Sequence, residues 1–197
     1  MTKPIILCDV DGVVLDWLSK LPEYLVKRGH NPESAIRAYS HGEFLGHSEI
    51  TGLPEDEALK LALEYNESEY IKYLTPYRDA LAVVNLLKHE FNFVAVTAIG
   101  REGKSSEYRM ENLNFWYPNA FSDIHVVNMH ESKFDILRQY NRTFFIDDTP
   151  NHCAEAKRAG HIAIRIVRDS RVDKVNTIRC KDFYEIGSFI ESHKEGV

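Results

Sequence analysis

The 197-residue chain carries 24 basic and 30 acidic side chains, a net charge of −6, with 44% apolar and 27% charged residues. Such a composition suits a folded chain with one sizeable core, with or without a small second module, and its acidic balance argues against a nucleic-acid polymer or an anionic membrane surface as the main partner. Cys8, Cys153 and Cys180 are too few and too widely spaced for a disulfide framework or a zinc cluster, and neither a signal peptide nor an apolar run of about 18 residues is found, so the expected compartment is the cytoplasm.

Taken in order, Pro4 to Asp9 reads as a strand whose apolar run (Ile5, Ile6, Leu7) breaks onto Asp9-Val10-Asp11-Gly12. Asp-Gly is a common turn dipeptide, but two carboxylates at i, i+2 also deliver charge to the strand's C-terminal edge, where a cation or a basic neighbour must answer it. Trp17, Leu18, Leu21 and Leu25 then recur at helical spacing up to the Arg28-Gly29-His30-Asn31-Pro32 break. A short helix is expected over Ala35 to Tyr39, irregular chain from Gly42 to Gly52, a helix opened by Leu53-Pro54-Glu55-Asp56, and a further short helix over Ser68 to Leu74. No strand is expected between about residues 16 and 75.

After Thr75-Pro76-Tyr77 an apolar helix (Ala80 to Leu87) leads into an alternation. Strands are expected at Phe93 to Thr97, Ile124 to Val127, Phe144 to Asp147 and Ile162 to Val167, separated by helices around Glu107 to Asn114, Lys133 to Tyr140 and Asn151 to Ala159. This pattern implies a three-layer α/β core of Rossmann-like type, a parallel sheet covered on both faces. A tail helix, Asp182 to His193, presents Phe183, Ile186, Phe189 and Ile190 as one stripe. The predicted organisation is therefore a core of residues 1–15 and 76–197 with an inserted helical cap, 16–75.

In an open parallel sheet, ligands bind outside the carboxyl ends of the strands. Those ends carry Asp9 and Asp11, then Thr97, then Asp147 and Asp148, with Lys133 opening a helix nearby. Alone, each has an ordinary use: a loop cap for Thr97, a solvated charge for Lys133, a turn for Asp147-Asp148-Thr149-Pro150. Together, four carboxylates would repel unless a hard divalent cation sat among them, and oxygen ligation suits Mg2+ far better than zinc. One carboxylate is then available as a nucleophile toward phosphorus and another as a general acid, with the hydroxyl and the amine holding phosphoryl oxygens.

In order and spacing, Asp9-Val10-Asp11-Gly12-Val13, Thr97, Lys133 and Asp147-Asp148 resemble the four motifs of the haloacid dehalogenase superfamily. The resemblance implies that Asp9 is the nucleophile and Asp11 the acid and base, as in the family's phosphatases. It implies that Asp9, Asp11 (through its backbone carbonyl), Asp147 and Asp148 surround Mg2+, and that Thr97, Ala98 and Lys133 bind the phosphoryl group. The insertion resembles the helical cap of the family's first cap class. The stretch from Asp9 to Asp16-Trp17, with Asp147 to Asn151, resembles the 5'-deoxyribonucleotidase branch, which implies that Trp17 faces a nucleobase and that the substrate is a small phosphorylated metabolite, a nucleoside 5'-monophosphate, with a sugar phosphate as the alternative. Tyr39 and Phe44 are further candidate stacking faces. The loop Ala98-Ile99-Gly100-Arg101 departs from that branch's small-polar and proline sequence. A receiver-type signalling domain is disfavoured by motif order and by the insertion's size, and a non-catalytic phospho-ligand-binding role by the intact Asp11. A homodimer is left open, and His41, His47 and His125 show no metal-ligand spacing.

Overall fold

The computed structural model describes residues 3–42, 45–168 and 176–196. Strand β1 (Ile5–Cys8) is followed by a tight turn in which the Val10 carbonyl accepts from the amides of Val13, Val14 and Leu15. A two-residue strand β2 (Leu15–Asp16) and a 3-10 turn (Trp17–Lys20) then lead into α1 (Leu21–Lys27). The sequence pattern made this one helix. Pro22 lacks the amide needed in a helix interior and so sits in the first turn of α1, while Asp16 accepts from the Leu18 amide and caps the separate 3-10 turn.

The insertion continues with α2 (Glu33–His41), α3 (His47–Thr51), α4 (Glu55–Asn66) and a 3-10 turn, Glu69–Tyr73, and returns through strand β3 (Thr75–Pro76). Two expectations are corrected here. The stretch around residues 47–51, expected irregular, is helical: the Glu49 carboxylate accepts from the Gly46 amide, and Gly52 ends the turn in the left-handed region. Asp16 and Thr75, expected outside any strand, pair antiparallel, as do Leu15 and Pro76, so the insertion leaves and re-enters the core through one two-residue ladder.

The remaining elements are α5 (Arg78–Leu87), β4 (Asn92–Thr97), α6 (Ser105–Trp116), β5 (Phe121–Val126), α7 (Phe134–Leu137), β6 (Phe144–Asp147), α8 (Pro150–Arg158), β7 (Ile162–Ile166), β8 (Ile178–Cys180) and α9 (Phe183–His193). The sheet is parallel throughout in the order β5-β4-β1-β6-β7-β8, with β1 at its centre. Strand β8 was not expected. Alternate residues of β1 point to opposite faces: Ile6 and Cys8 join the core cluster that includes Val84 and Ile186, Leu7 the one that includes Leu137 and Ala156. The first cluster also takes in Leu25, Ile50, Leu61 and Tyr65 of the insertion, so the two parts share a core. Among the described residues no helix is long and apolar enough to cross a membrane.

Candidate active site

The three central strands end on the predicted residues. Asp9 follows β1, Thr97 closes β4, and Asp147 closes β6 with Asp148 next; the Asp9 amide also donates to the Ile146 carbonyl, which locks the two acidic strand ends together. Oxygens of Asp9, Asp147 and Asp148 all lie within 4.8 Å of one another. Lys133, fully buried just before α7, reaches both Asp9 Oδ1 at 2.9 Å and Asp147 Oδ2 at 2.8 Å. The expected helix from Lys133 to Tyr140 is shorter than that pattern implied, and Lys133 is its capping residue.

One ammonium thus faces two buried carboxylates. Burial opposes the charge on Lys133, but Asp147 and Asp9 outweigh it and raise its pKa. Burial also pushes both carboxylates up: it prevails at Asp9, which Lys133 pulls down only in part. At Asp147, Lys133 and a His152 Nδ1 at 3.3 Å prevail instead and hold the group below the usual carboxylate range. The Thr149 amide donates to Asp147 Oδ1 at 2.7 Å, leaving that side chain a single settled orientation. Three carboxylate groups around one lysine retain net negative charge, and hard oxygen donors at this spacing fit a divalent cation such as Mg2+.

Asp11 stands apart from this group. Its Oδ2 accepts from Arg109 Nη2 at 2.9 Å, and Arg109, on α6, is fully buried. Burial raises the Asp11 pKa, with Arg109 and then Lys133 opposing. The four carboxylates expected to converge are therefore three together and one on its own arginine. The turn between them needs Gly12, at φ +77°: a Cβ there would lie 3.1 Å from Asp148 Oδ2. The Thr97 side chain is buried with its hydroxyl turned toward the Asp11 carboxyl, which it helps, after Arg109 and Lys133, to hold down against burial. Ala98 follows β4 and is half-buried.

Above Asp11, Gly12 and Asp148 opens a cavity of about 670 Å³. Its lining includes Trp17, Tyr39, His47 and Ile50 from between β2 and β3, and Tyr77, His130 and Arg168 from the chain after β3. Phe44 lies outside the described residues. Trp17 Nε1 donates to Asn66 Oδ1 at 2.8 Å, its ring meets Tyr65 and His47 edge to face, and the Asn66 amide donates across to the Ile99 carbonyl at 3.1 Å. The loop beyond that carbonyl turns at Gly100, φ +97°, where a Cβ would lie 3.2 Å from Leu63 of α4. Arg168 lies over the Tyr77 ring at 3.8 Å, pairs with Asp79 and donates to the Val13 carbonyl, so it ties the turn after β1 to the insertion's return. A second cleft of about 500 Å³, between Tyr24 and Tyr70, lies on the insertion and includes none of these residues.

Sequence reasoning missed Arg109, Arg168, Asn66 and His130. Only Arg168 left a signal: it stands just past a strand end, on the ligand edge.

No family model matches this sequence. It is 38% identical over 158 residues to an uncharacterized 32.4 kDa protein of the Gp30-rIII intergenic region of Enterobacteria phage T4, an overlap of 78% of this chain and 57% of that protein, so the chain spans little more than half the length of that relative. Solved structures share the fold at low identity. They include a Bacillus subtilis protein described as the HAD-hydrolase YfnB, bound to magnesium (TM-score 0.66, 14% identity, 96% of this chain and 99% of that one). A Clostridium difficile protein described as a phosphatase (0.68, 14%, 96% and 99%) and the L-2-haloacid dehalogenase PA0810 (0.62, 14%, 95% and 99%) are alike in the same way. The fold is that of haloacid dehalogenase-like hydrolases and phosphatases, and it hosts more than one reaction.

Proposed function

We propose that this chain hydrolyses phosphomonoesters through an aspartyl phosphate formed on Asp9. The observation that carries this reading is the buried Lys133 bridging Asp9 and Asp147 beside Asp148, which together with Asp11 lines the adjoining cavity. In it, an Asp9 oxygen attacks phosphorus while the ester P–O bond breaks, and Asp11 gives a proton to the departing oxygen. Asp11 then takes a proton from water, the water oxygen attacks the aspartyl phosphate, and Asp9 and inorganic phosphate are released. Lys133 and the buried Thr97 hydroxyl donate to the phosphoryl oxygens, with Ala98 at the same loop. Asp9, Asp147 and Asp148 would hold Mg2+, with the Asp11 backbone carbonyl; when bound, it would neutralise charge between carboxylates and phosphoryl oxygens.

The substrate is a small phosphorylated metabolite, and a nucleoside 5'-monophosphate fits best, because Trp17, Tyr39 and Tyr77 line the cavity above the carboxylates. Residues 16–75 act as the cap that chooses it. The ionisable rim of the same cavity, Asp16, His47, Glu55 and His130, favours the alternative, a sugar phosphate with hydroxyls to bond. Buried free thiols at Cys8, Cys153 and Cys180 support a reducing compartment such as the cytoplasm.

The test is phosphate release from p-nitrophenyl phosphate with and without Mg2+, followed by panels of nucleoside monophosphates and sugar phosphates. Mg2+-dependent turnover, with nucleoside monophosphates leading, is expected. Full activity in excess EDTA would defeat the metal assignment, and preference for sugar phosphates would reverse the substrate reading.

A further inference from the structure

Asn66 is the last residue of α4 and is buried, at 2% exposure, although its side chain is an amide. Such a group is costly to bury unless both of its ends are hydrogen-bonded, and here the two ends serve different parts of the molecule. Its Oδ1 accepts from Trp17 Nε1 at 2.8 Å, and its Nδ2 donates to the Ile99 carbonyl at 3.1 Å. Only one orientation of the amide satisfies both, because the indole nitrogen can only donate and the carbonyl can only accept.

Each end of this bridge is held by other bonds as well. The Tyr65 hydroxyl donates to the Trp17 carbonyl at 3.0 Å, so consecutive residues of α4 grip the tryptophan by its backbone and by its ring. On the other side, the loop after β4 is tied to the end of β5: the Val127 amide donates to the Thr97 carbonyl, and the Gly100 amide to the Val127 carbonyl. That loop comes close to α4 at two glycines, since a Cβ on Gly100 would lie 3.2 Å from Leu63 and one on Gly103 3.1 Å from Glu67. The end of α4 is therefore a spacer, braced on both sides, between a residue that lines the cavity and the strand end that carries Thr97 and Ala98.

From this geometry we infer that Asn66 is a positioning residue that sets substrate specificity: it fixes Trp17 at one distance from the loop of Thr97 and Ala98, so that a substrate seated against Trp17 has its phosphoryl group delivered in register. This inference deepens the nucleoside monophosphate reading above and rests on it. Binding energy from contacts remote from the reacting atoms reaches the chemical step only through a frame that holds the two in register. A small ester that never reaches Trp17 gains nothing from that frame.

Hydrolysis of the best nucleoside 5'-monophosphate of the panel is compared with that of p-nitrophenyl phosphate. Asn66→Leu, similar in shape but able to make neither bond, should lower kcat on the nucleotide about thirtyfold, with KM within about threefold, and kcat on p-nitrophenyl phosphate by less than about threefold. Trp17→Phe cuts the bridge from its other end and should lower the ratio of the two kcat values by a similar factor. The double variant should show the ratio of either single variant, because a bridge cut once has nothing left to lose. An asparagine that merely packs would lower both rates together and leave the ratio unmoved, which overturns the inference, as do additive losses in the double variant. If Asn66→Leu does not fold, Trp17→Phe decides alone: a lowered ratio sustains the inference and an unchanged one overturns it. A wild-type protein that hydrolyses p-nitrophenyl phosphate but no nucleoside monophosphate faster overturns the nucleotide reading and this inference with it, and one inactive on every ester overturns the phosphatase reading as well.

Discussion

Lys133, fully buried, supplies one positive charge to both Asp9 and Asp147. Replacing it with Met should leave two buried carboxylates uncompensated, at a cost of about 3 to 5 kcal/mol, and added Mg2+ should recover part of it; denaturant titration with and without the ion measures both, and a loss indifferent to Mg2+ would count against cation binding there. Asp9→Asn removes one of the crowded charges at almost no change of shape. It should abolish turnover, keep the fold and raise the melting temperature in EDTA; wild-type turnover in that variant, checked for deamidation, would remove Asp9 as the nucleophile. Asp16 gives a pH signature of its own. Burial pushes it up to about 6, with the Leu18 amide and Arg168 opposing. Between about pH 4 and 6 the folded chain holds a proton that the unfolded chain has lost. The stabilising contribution is therefore complete below about pH 4 and gone as pH rises through 6. Asp16→Asn keeps a capping side chain and should be more stable than wild type above pH 6 by about 1 to 2 kcal/mol, allowing for partial solvent access, and equal to it near pH 4. Equal gains at both pH values would refute the assignment.

At the scale of elements, the strand ends were legible because a buried apolar run that stops on a carboxylate is chemically unusual, and β1, β4 and β6 all follow that rule or its hydroxyl equivalent. Arg109 was not legible: in a helix of mixed polar residues an arginine reads as solvated, and only the fold reveals that its partner, Asp11, lies far away in sequence. The ladder of β2 and β3 is too short for alternation to register, α3 has one buried residue to mark it, and β8 spans three residues. The insertion's wall on the cavity can be probed through Trp17, whose ring edge is already held by Asn66. Trp17→Ala should lose about 1 to 3 kcal/mol of affinity for a nucleoside monophosphate and little for p-nitrophenyl phosphate, whereas Trp17→Phe should retain the ring's share and lose only the tie to Asn66. Equal losses on both substrates, with a lowered melting temperature, would make Trp17 a packing residue and sink the nucleotide reading.

For the whole molecule, the cluster running from Leu25, Ile50 and Tyr65 into Ile6, Val84 and Phe144 means that the insertion has no separate core to melt. Calorimetry should show one transition; two would show that the insertion folds independently. The central position of β1 carries a consequence for the order in which the protein assembles. Ile5 pairs with Asn92 and Ile6 with Phe144, so the strand made first waits for partners made much later. During synthesis its apolar run has no ladder to join until β4 appears, and the acidic centre has no second half until β6 does. Contacts of such separation slow folding and leave a sticky strand exposed meanwhile. Chains released before β6 should therefore be recovered as aggregates or chaperone clients, and more so when Asp9 and Asp11 are replaced by apolar residues, because the two carboxylates that follow β1 disfavour pairing of this waiting strand with its own copies.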